Sequence, residues 1–190
     1  MSDKKRDIDW RNLLTEMLGI IFAVLLALWL EGWREEIELK ARADEFLARI
    51  HTEVAKNRAD IEEAVADNQA NIEGLRAAIE AGTIDIQTIA PFLKVSGGST
   101  SNAAWQSAQM TQSIAKMPIE TVAELAGLYD TQAYYTDYVS FFFQRYTDLT
   151  MAIQDPATAR PAAQKFEQHL SITNSMAQQL LARYDAFLDS

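Results

Sequence analysis

The chain has 190 residues, no cysteine and a formal net charge of −10. Its length suits one domain of ordinary size beside a short additional segment. The acidic balance argues against nucleic acid as a partner, because nucleic-acid binding needs a basic face. The lack of cysteine excludes disulfides, a thiolate nucleophile, iron–sulfur clusters and cysteine-based zinc sites.

An uncharged apolar run, 17–30, lies near the N-terminus. As a helix it spans about 21 Å, which is less than the roughly 30 Å of a bilayer core. Trp10 and Trp33 bracket it about 34 Å apart along a helix, and tryptophan favours the headgroup boundary as an interface anchor. The bracket supplies the missing length, so the sequence predicts a transmembrane helix over 10–33.

Two other interpretations of this run are weaker. A buried helix of a soluble bundle normally keeps a polar stripe, and this run has none for about four turns. A cleaved signal peptide needs small residues at its cleavage site, and 28–33, Leu-Trp-Leu-Glu-Gly-Trp, offers a poor one. We therefore expect the segment to be retained.

The basic residues around the run indicate its orientation. Lys4, Lys5, Arg6 and Arg11 precede it, and Arg34, Lys40 and Arg42 follow it. This small excess on the N-terminal side favours a cytoplasmic N-terminus. The prediction is a short cytoplasmic tail over 1–9 and a periplasmic helical domain over 34–190, anchored in a bacterial inner membrane.

Small residues at every fourth position mark one face of the predicted membrane helix. Gly19, Ala23 and Ala27 share this face, and such spacing lets two helix backbones approach closely in lipid. Glu16 lies near the membrane edge, where a carboxylate either extends to water or pairs with a basic residue of a partner. These four residues are the candidates for helix packing within the membrane, by self-association or against another protein.

Beyond Trp33 the helical pattern continues without a break. Apolar or small residues recur at steps of three and four, as in an amphipathic helix or coiled-coil seam: Leu39, Ala43, Leu47, Ile50, Val54, Ile61, Ala64, Val65, Ile72, Leu75 and Ile79. Asn57, Asn68 and Asn71 interrupt the seam, and Gly82 is a plausible stop. Glu36–Lys40, Glu38–Arg42 and Glu45–Arg49 form potential ion pairs four residues apart.

The remaining chain predicts one short and two long helices. Residues 83–101 break the pattern, with a half-extended isoleucine stretch, Pro91 and the loop 96–100. A short helix is expected over about 102–116, a long one from Pro118 to about Ile153, and the last over about 157–188. The economical arrangement is all-α, an antiparallel bundle in which the extension of the membrane helix forms one wall.

A search for catalytic chemistry finds little. His51 and His169 lie on separate predicted helices, and neither has a second ligand at metal-binding spacing. Phosphate-binding, dinucleotide-binding and nucleophile-elbow motifs are all missing from the sequence. The sequence predicts a protein that is not an enzyme, with no cofactor and no metal.

Aromatic residues crowd one stretch of the long helix after Pro118. Tyr135, Tyr138, Phe142 and Tyr146 recur at helical spacing within it. Two interpretations stand: a thick aromatic core, or an exposed contact or pocket with tyrosine hydroxyls at its rim. Phe141, Phe142 and Phe143 spread around the helix, so at least one of these rings is expected to leave the core.

The anchor itself resembles a recurring bacterial pattern. In 16–36 a glutamate shortly precedes a glycine, an apolar stretch ends in Ala-Leu, and a tryptophan is followed by acidic residues. With 102–109 (Asn-Ala-Ala-Trp-Gln-Ser-Ala-Gln) and 125–130 (Leu-Ala-Gly-Leu-Tyr-Asp), it is similar to a family of uncharacterised single-pass membrane proteins with a helical extramembrane domain. The usual Asn-Asn-Trp-Asn end is replaced by Leu-Glu-Gly-Trp at 30–33. The resemblance implies fold and topology, and no activity.

The sequence thus favours a non-catalytic, membrane-anchored helical protein that acts by protein–protein contact. It would be a homo-oligomer or an accessory subunit of a larger inner-membrane complex. The alternative is a periplasmic ligand-binding sensory module, with a pocket lined by Tyr135, Tyr138 and Phe142, that signals through a partner.

Overall fold

The computed structural model describes residues 10–189, and within this range the chain is all-α without a strand. The helices are α1 (Trp10–Ala81), α2 (Ile86–Ile89), α3 (Ala103–Met110), α4 (Ile119–Gln154) and α5 (Ala159–Leu188), with 3₁₀ turns at Ala90–Phe92 and Gln112–Lys116. The predicted fold class is confirmed. The tail 1–9, with Lys4, Lys5 and Arg6, lies outside the described residues.

The helix α1 is one uninterrupted element of 72 residues, about 108 Å long. It ends where the sequence predicts, because Gly82 adopts a positive φ of 73° that other residues rarely take. The amides of Gly82 and Thr83 then donate to the carbonyls of Ile79 and Ala78, which closes the last turn. The apolar run near the N-terminus and the wall of the bundle are therefore parts of the same helix.

The second half of α1, residues 43–81, is here called the packed segment. Its predicted seam faces the protein: the buried members are Ala43, Ile50, Val54, Ile61, Ala64, Ile72 and Leu75. Leu39, Leu47, Val65 and Ile79 are half-buried at the edges of the seam. Because the seam repeats at steps of three and four, one stripe of the helix is covered and the opposite face stays in solvent.

Side-chain pairs give the helix directions. Arg58 bonds Asp185 and Arg76 bonds Glu167, so α5 runs antiparallel to α1. Tyr129 of α4 bonds Glu53 and Gln132 of α4 bonds Asn57, so α4 runs parallel to α1. The three long helices form a bundle whose central antiparallel member is α5.

The chain between α1 and α4 returns along the bundle instead of looping freely. It begins at the far end, beyond Ala81, and ends where Lys116 pairs with Glu36 near the start of the packed segment. The extended stretch 93–102, here called the strap, lies between α1 and α4. Two glycines permit this close passage. A Cβ at Gly97 would lie 2.7 Å from Val139, and Gly98 has a φ of 63° beside Ile61 and the Asp60 carbonyl.

Several local predictions need correction. Ile86 and Ile89 are not half-extended but form the helical turn α2, because the Asp85 carboxylate caps the amides of Gln87 and Thr88. The short helix predicted over 102–116 is split at Thr111, whose extended backbone separates α3 from a 3₁₀ turn.

Ion pairs and aromatic rings also differ in part from expectation. Glu45 pairs with Arg49 as predicted, whereas Glu38 pairs with Arg34 and Glu36 with Lys116. The Glu36 carboxylate is drawn across to Lys116 because the end of the returning chain lies beside it. Phe142 is buried and both neighbouring phenylalanines, Phe141 and Phe143, are exposed.

Candidate functional site

Residues 14–38 of α1, here called the free segment, make up the largest exposed apolar surface among the described residues. Each of these consecutive residues is exposed, on every side of the helix. The large apolar members are Leu14, Met17, Leu18, Ile20, Ile21, Phe22, Val24, Leu25, Leu26, Leu28, Trp29, Leu30, Trp33 and Ile37. Of the described helices, α1 alone is long and apolar enough to cross a membrane, by length and composition, and none of its most apolar window is buried.

The predicted interface anchors lie at the two ends of this surface. Trp10 is exposed at the first described residue, and Trp33 is exposed one turn before Ile37. Trp33 stacks on Trp29, with ring centroids 6.2 Å apart and planes within 9°. The two rings thus form a stacked aromatic pair on one side of the helix, immediately before the charged residues that begin at Arg34.

The four candidate packing residues share one side of the free segment. Gly19, Ala23 and Ala27 fall within about 80° of the helix circumference, and Glu16 lies between them in projection. All four are exposed. A Cβ placed on Gly19 would meet nothing within 4 Å, so this face is open in the single chain.

A buried polar layer joins the packed segment to the strap and to both other long helices. The Asn57 amide nitrogen donates to the Ser101 carbonyl (2.7 Å), and its oxygen accepts from the Ser101 amide (2.9 Å). Gln132 donates to the same carbonyl, and its own oxygen accepts from the Tyr184 hydroxyl at 2.7 Å. Asn57, Gln132 and Tyr184 are buried, and they satisfy one another and the strap.

The same pair of hydrogen bonds, from an asparagine amide to the backbone of a strap serine, recurs about three turns farther along α1. Asn68 donates to the Ser96 carbonyl at 2.7 Å and accepts from the Ser96 amide at 2.9 Å. Asn71 donates to the Lys94 carbonyl. An extended strap lacks the internal hydrogen bonds of a helix, and these amides replace them. The asparagines that interrupt the apolar seam therefore hold the strap in place.

Glu53 lies beside this layer and collects three donors. Its carboxylate accepts from the Tyr129 hydroxyl (2.7 Å), the Ser101 hydroxyl (2.8 Å) and the Ala104 amide (3.0 Å). Burial, and then the bond to Glu53, raise the pKa of Tyr129 well above its ordinary value. Tyr129 also stacks flat on Trp105, at 5.6 Å. This neutral tyrosine, bonded to Glu53 and stacked on Trp105, therefore stabilises the fold.

The four aromatic candidates do not line one common cavity. Tyr135 is buried and donates to the Gly97 carbonyl at 2.9 Å, while Tyr146 donates to the Leu93 carbonyl at 2.7 Å. Burial raises the pKa of Tyr135 to about 12. Phe142 is buried in edge contact with Phe166. The hydroxyls of Tyr135 and Tyr146 therefore bond to the strap and do not form the rim of a shared pocket.

The remaining candidate, Tyr138, is half-buried at the edge of a small surface groove. Its hydroxyl lies 2.9 Å from His169 Nδ1. Burial, then the charges of Arg145 and Lys165, lower the pKa of His169. Arg145 lies over the Phe141 ring at 5.5 Å. The groove beside this pair carries the cationic side chains of Arg145 and Lys165 together with the carboxylate of Asp148.

The described residues contain no group of three or more histidine, aspartate or glutamate side chains placed to hold a metal ion. His51 stacks on Phe187, near the end of α5, with ring centres 4.5 Å apart. His169 lies much earlier on α5. The two histidines are not brought together. Among the described residues, buried Asn57, Asn68 and Gln132 bond to the strap, whereas buried Thr173 bonds to a carbonyl of its own helix.

Sequence reasoning missed the strap and the two asparagines, Asn57 and Asn68, that hold it by paired hydrogen bonds and are here called its latches. A signal was present, because Asn57 and Asn68 are separated by about three helical turns and so share one face of an otherwise apolar seam. Polar residues repeated on a buried face need partners there. That rule predicts a polar neighbour but leaves its identity open.

The likeness of 16–36 to a family of single-pass membrane proteins stays a prediction, since it depends on a short pattern alone. The all-α bundle described above agrees with the fold that this likeness implies, and many unrelated chains share such a bundle. Compared with protein families, with curated proteins and with solved structures, the chain shows no match.

Proposed function

We propose that this chain is a non-catalytic, membrane-anchored helical protein that acts by protein–protein contact. It forms a homo-oligomer, or serves as an accessory subunit of a larger complex in a bacterial inner membrane. Its bundle then lies outside the bilayer and its free segment lies within it.

The free segment carries this proposal. An apolar helix surface exposed on all sides is unfavourable in water, because burial stabilises a structure by roughly 25 cal/mol for each Å² of apolar area. Nothing in the described chain covers this surface. A bilayer covers all sides of one helix at once, whereas an ordinary protein contact covers one.

The continuity of α1 supports retention of the segment after synthesis. The helix runs from Trp10 to Ala81 with no break at 28–33, the region where a signal peptidase would have to cut. Intact-mass measurement of the purified native protein tests this point. A mature chain that begins near residue 33 would contradict the proposed anchor.

The proposed topology places the N-terminus in the cytoplasm and the bundle in the periplasm, as the basic residues before the run favour. A membrane-impermeant maleimide should label Met151→Cys in intact spheroplasts, since Met151 is exposed on α4 and the native chain has no cysteine. Labelling only after the cells are lysed would reverse the orientation.

The open face of Gly19, Ala23 and Ala27 is the proposed contact within the membrane. Its small side chains allow a second helix to approach closely. Gly19→Ile with Ala23→Ile fills this face. Leu25→Ile with Leu28→Ile is the matched control, because these residues lie on the opposite side and the change conserves volume.

Size in mild detergent tests the proposal. We expect the native protein to migrate as an oligomer or with a co-purifying partner, the isoleucine pair at 19 and 23 to reduce that assembly several-fold, and the control pair to retain it. A clean monomer of 21.3 kDa that carries no other protein would contradict the proposed function.

The groove beside His169 favours one second candidate, a sensory module for a small acidic molecule. It encloses about 370 Å³ and is lined by Phe141, Arg145, Asp148, Leu149, Lys165, Gln168 and His169. Two basic side chains and one carboxylate line it, on a chain whose net charge is −10. Stabilisation by small carboxylates in a thermal-shift screen, lost in Arg145→Gln, would favour this candidate over the first.

A further inference from the structure

We propose that the bundle has a second contact with the membrane, made by residues 110–119, here called the elbow. The elbow joins α3 to α4 and enters the headgroup layer of the leaflet beside Trp33. This inference rests on the proposed function, because it requires the free segment to span the bilayer.

An ion pair fixes the position of the elbow along α1. Lys116 Nζ lies 3.3 Å from a carboxylate oxygen of Glu36. Glu36 is three residues beyond Trp33, which places it about 4.5 Å farther along the helix. The headgroup layer of one leaflet is about 5 to 7 Å thick. With Trp33 at the hydrocarbon boundary, the Lys116 ammonium therefore lies at headgroup depth.

Among the residues whose exposure the structure describes, the elbow also carries the two most exposed large apolar side chains outside the free segment. Met110 is 85% exposed and Ile119 is 75% exposed, and they flank Lys116 in the chain. An apolar side chain on each side of a lysine suits the interface, where the apolar groups insert and the ammonium stays among the headgroups.

Tilt brings the elbow closer to the lipid. The elbow packs beside α1, and neighbouring elements lie about 8 to 10 Å from a helix axis. A membrane helix tilted by about 20°, an ordinary value, lowers a point at that distance by about 3 Å. Insertion of Met110 and Ile119 would favour the tilt toward the elbow, so the orientation of the whole bundle follows from this contact.

A groove with charged walls lies at the same height. It measures about 390 Å³ between α1 and the elbow and is lined by Glu35, Glu38, Leu39, Arg42, Thr111 and Ser113. Its carboxylates and its guanidinium suit the charged groups of zwitterionic lipid headgroups, which are available at this depth.

Single-cysteine labelling tests the elbow directly, because the native chain has no cysteine. Four full-length variants, Met110→Cys, Ile119→Cys, Met151→Cys and Leu26→Cys, carry an NBD fluorophore in phosphatidylcholine nanodiscs. All four positions are exposed, so the label leaves the core undisturbed. Met151 is the matched control at the far end of α4, and Leu26 reports on the anchor. The quenchers are nitroxides on the lipid headgroup or on the acyl chain.

We expect the headgroup nitroxide to quench the labels at 110 and 119 several-fold more than the label at 151, with a blue shift in their emission. The acyl-chain nitroxide should quench the label at 26. If the label at 26 is quenched, but the labels at 110 and 119 are quenched no more than the label at 151, the elbow contact is overturned and the anchor stands. A blue shift at 110 and 119 without quenching identifies a protein contact there and also overturns it. No quenching at 26 contradicts the proposed function itself.

Discussion

Residues 14–38 and residues 43–81 belong to the same uninterrupted helix, yet their surfaces differ completely. From 14 to 33 the free segment is mostly apolar and is exposed on all sides, whereas the packed segment has one buried apolar stripe and a charged opposite face. An amphipathic stripe fits a protein neighbour on one side, and an apolar circumference fits a surrounding apolar solvent. One continuous helix therefore carries two different kinds of surface.

The boundary between the two halves is sharp. Ile37 is the last exposed large hydrophobic residue of α1, and Ala43 is the first buried residue. The half-buried Leu39 lies between them, and the ion pair of Glu36 with Lys116 lies one residue before Ile37. Substitutions of the same type on either side of this boundary should therefore have opposite consequences.

Charge in the free segment should have the largest effect. Leu25→Arg with Leu26→Arg costs about 3 kcal/mol per arginine at the centre of a membrane helix, or about 6 kcal/mol together. We expect the protein to leave the membrane fraction while the bundle keeps its helical circular dichroism. Ala55→Arg with Ala66→Arg, on the exposed face of the packed segment, should leave membrane association unchanged. Equal partitioning of both variants would remove the distinction between the halves.

Truncation of an isoleucine should lower the stability of the bundle when it is made in the packed segment and leave it unchanged when it is made in the free segment. Ile61 is fully buried, so Ile61→Ala should lower the free energy of unfolding of the bundle by about 2 to 5 kcal/mol. Ile21→Ala removes the same atoms from the free segment and should leave bundle stability unaltered. Denaturant titration in mild detergent, followed by circular dichroism at the aromatic bands, measures both. A comparable loss for Ile21→Ala would mean that the free segment packs on the bundle.

The strap latches should contribute less than a core isoleucine. Asn68→Ala leaves the amide and the carbonyl of Ser96 without their partner, which costs about 1 to 3 kcal/mol. Asp67→Ala, one residue earlier on the exposed face, is the control. Hydrogen exchange should then accelerate at Ser96 in the first variant only. Unchanged protection of that amide would show that the latch does not hold the strap.

The smallest effect concerns pH. The pKa of His169 is lowered by burial, Arg145 and Lys165, so the unfolded chain binds the proton more readily than the folded one. Its neutral form supports full stability above the unfolded-state pKa of about 6.5, and stability falls as the pH drops from there through the folded-state pKa. His169→Gln keeps a hydrogen-bonding group beside Tyr138 and should reduce the fall in Tm between about pH 8 and pH 5. An identical fall in both proteins would assign the pH dependence to other groups.

Much of this fold could be predicted because its elements have local signals. The step pattern from Leu39 to Ile79 and the stop at Gly82 depend on residues close in the chain, and the structure confirms them. The strap has no periodicity, and its hydrogen bonds join Asn57 to Ser101 and Asn68 to Ser96 across distant positions. Similarly, the Tyr135 hydroxyl had an obvious need for a partner, but the sequence did not show that this partner is Gly97.

One part of the candidate site could likewise be predicted from the sequence and another part could not. The free segment was recognisable from composition, because nothing in its sequence depends on a distant contact. The elbow was not, since Met110, Lys116 and Ile119 acquire meaning only when the return of the chain places Lys116 beside Glu36. Exposure of an apolar residue is a property of the fold and is not visible in a single sequence.

A nitroxide scan along α1 tests the central comparison most directly. Spin labels on single cysteines, one at a time at exposed positions from Leu14 to Ala66, report collisions with oxygen and with a water-soluble nickel complex in nanodiscs. We predict high oxygen access and low nickel access at labels from 14 to about 33. At the exposed positions of the packed segment we predict low oxygen access and high nickel access. Within 14–33, oxygen access should be lowest at Gly19, Ala23 and Ala27, where a second helix packs. Nickel access throughout 14–33 would contradict a membrane location for the free segment.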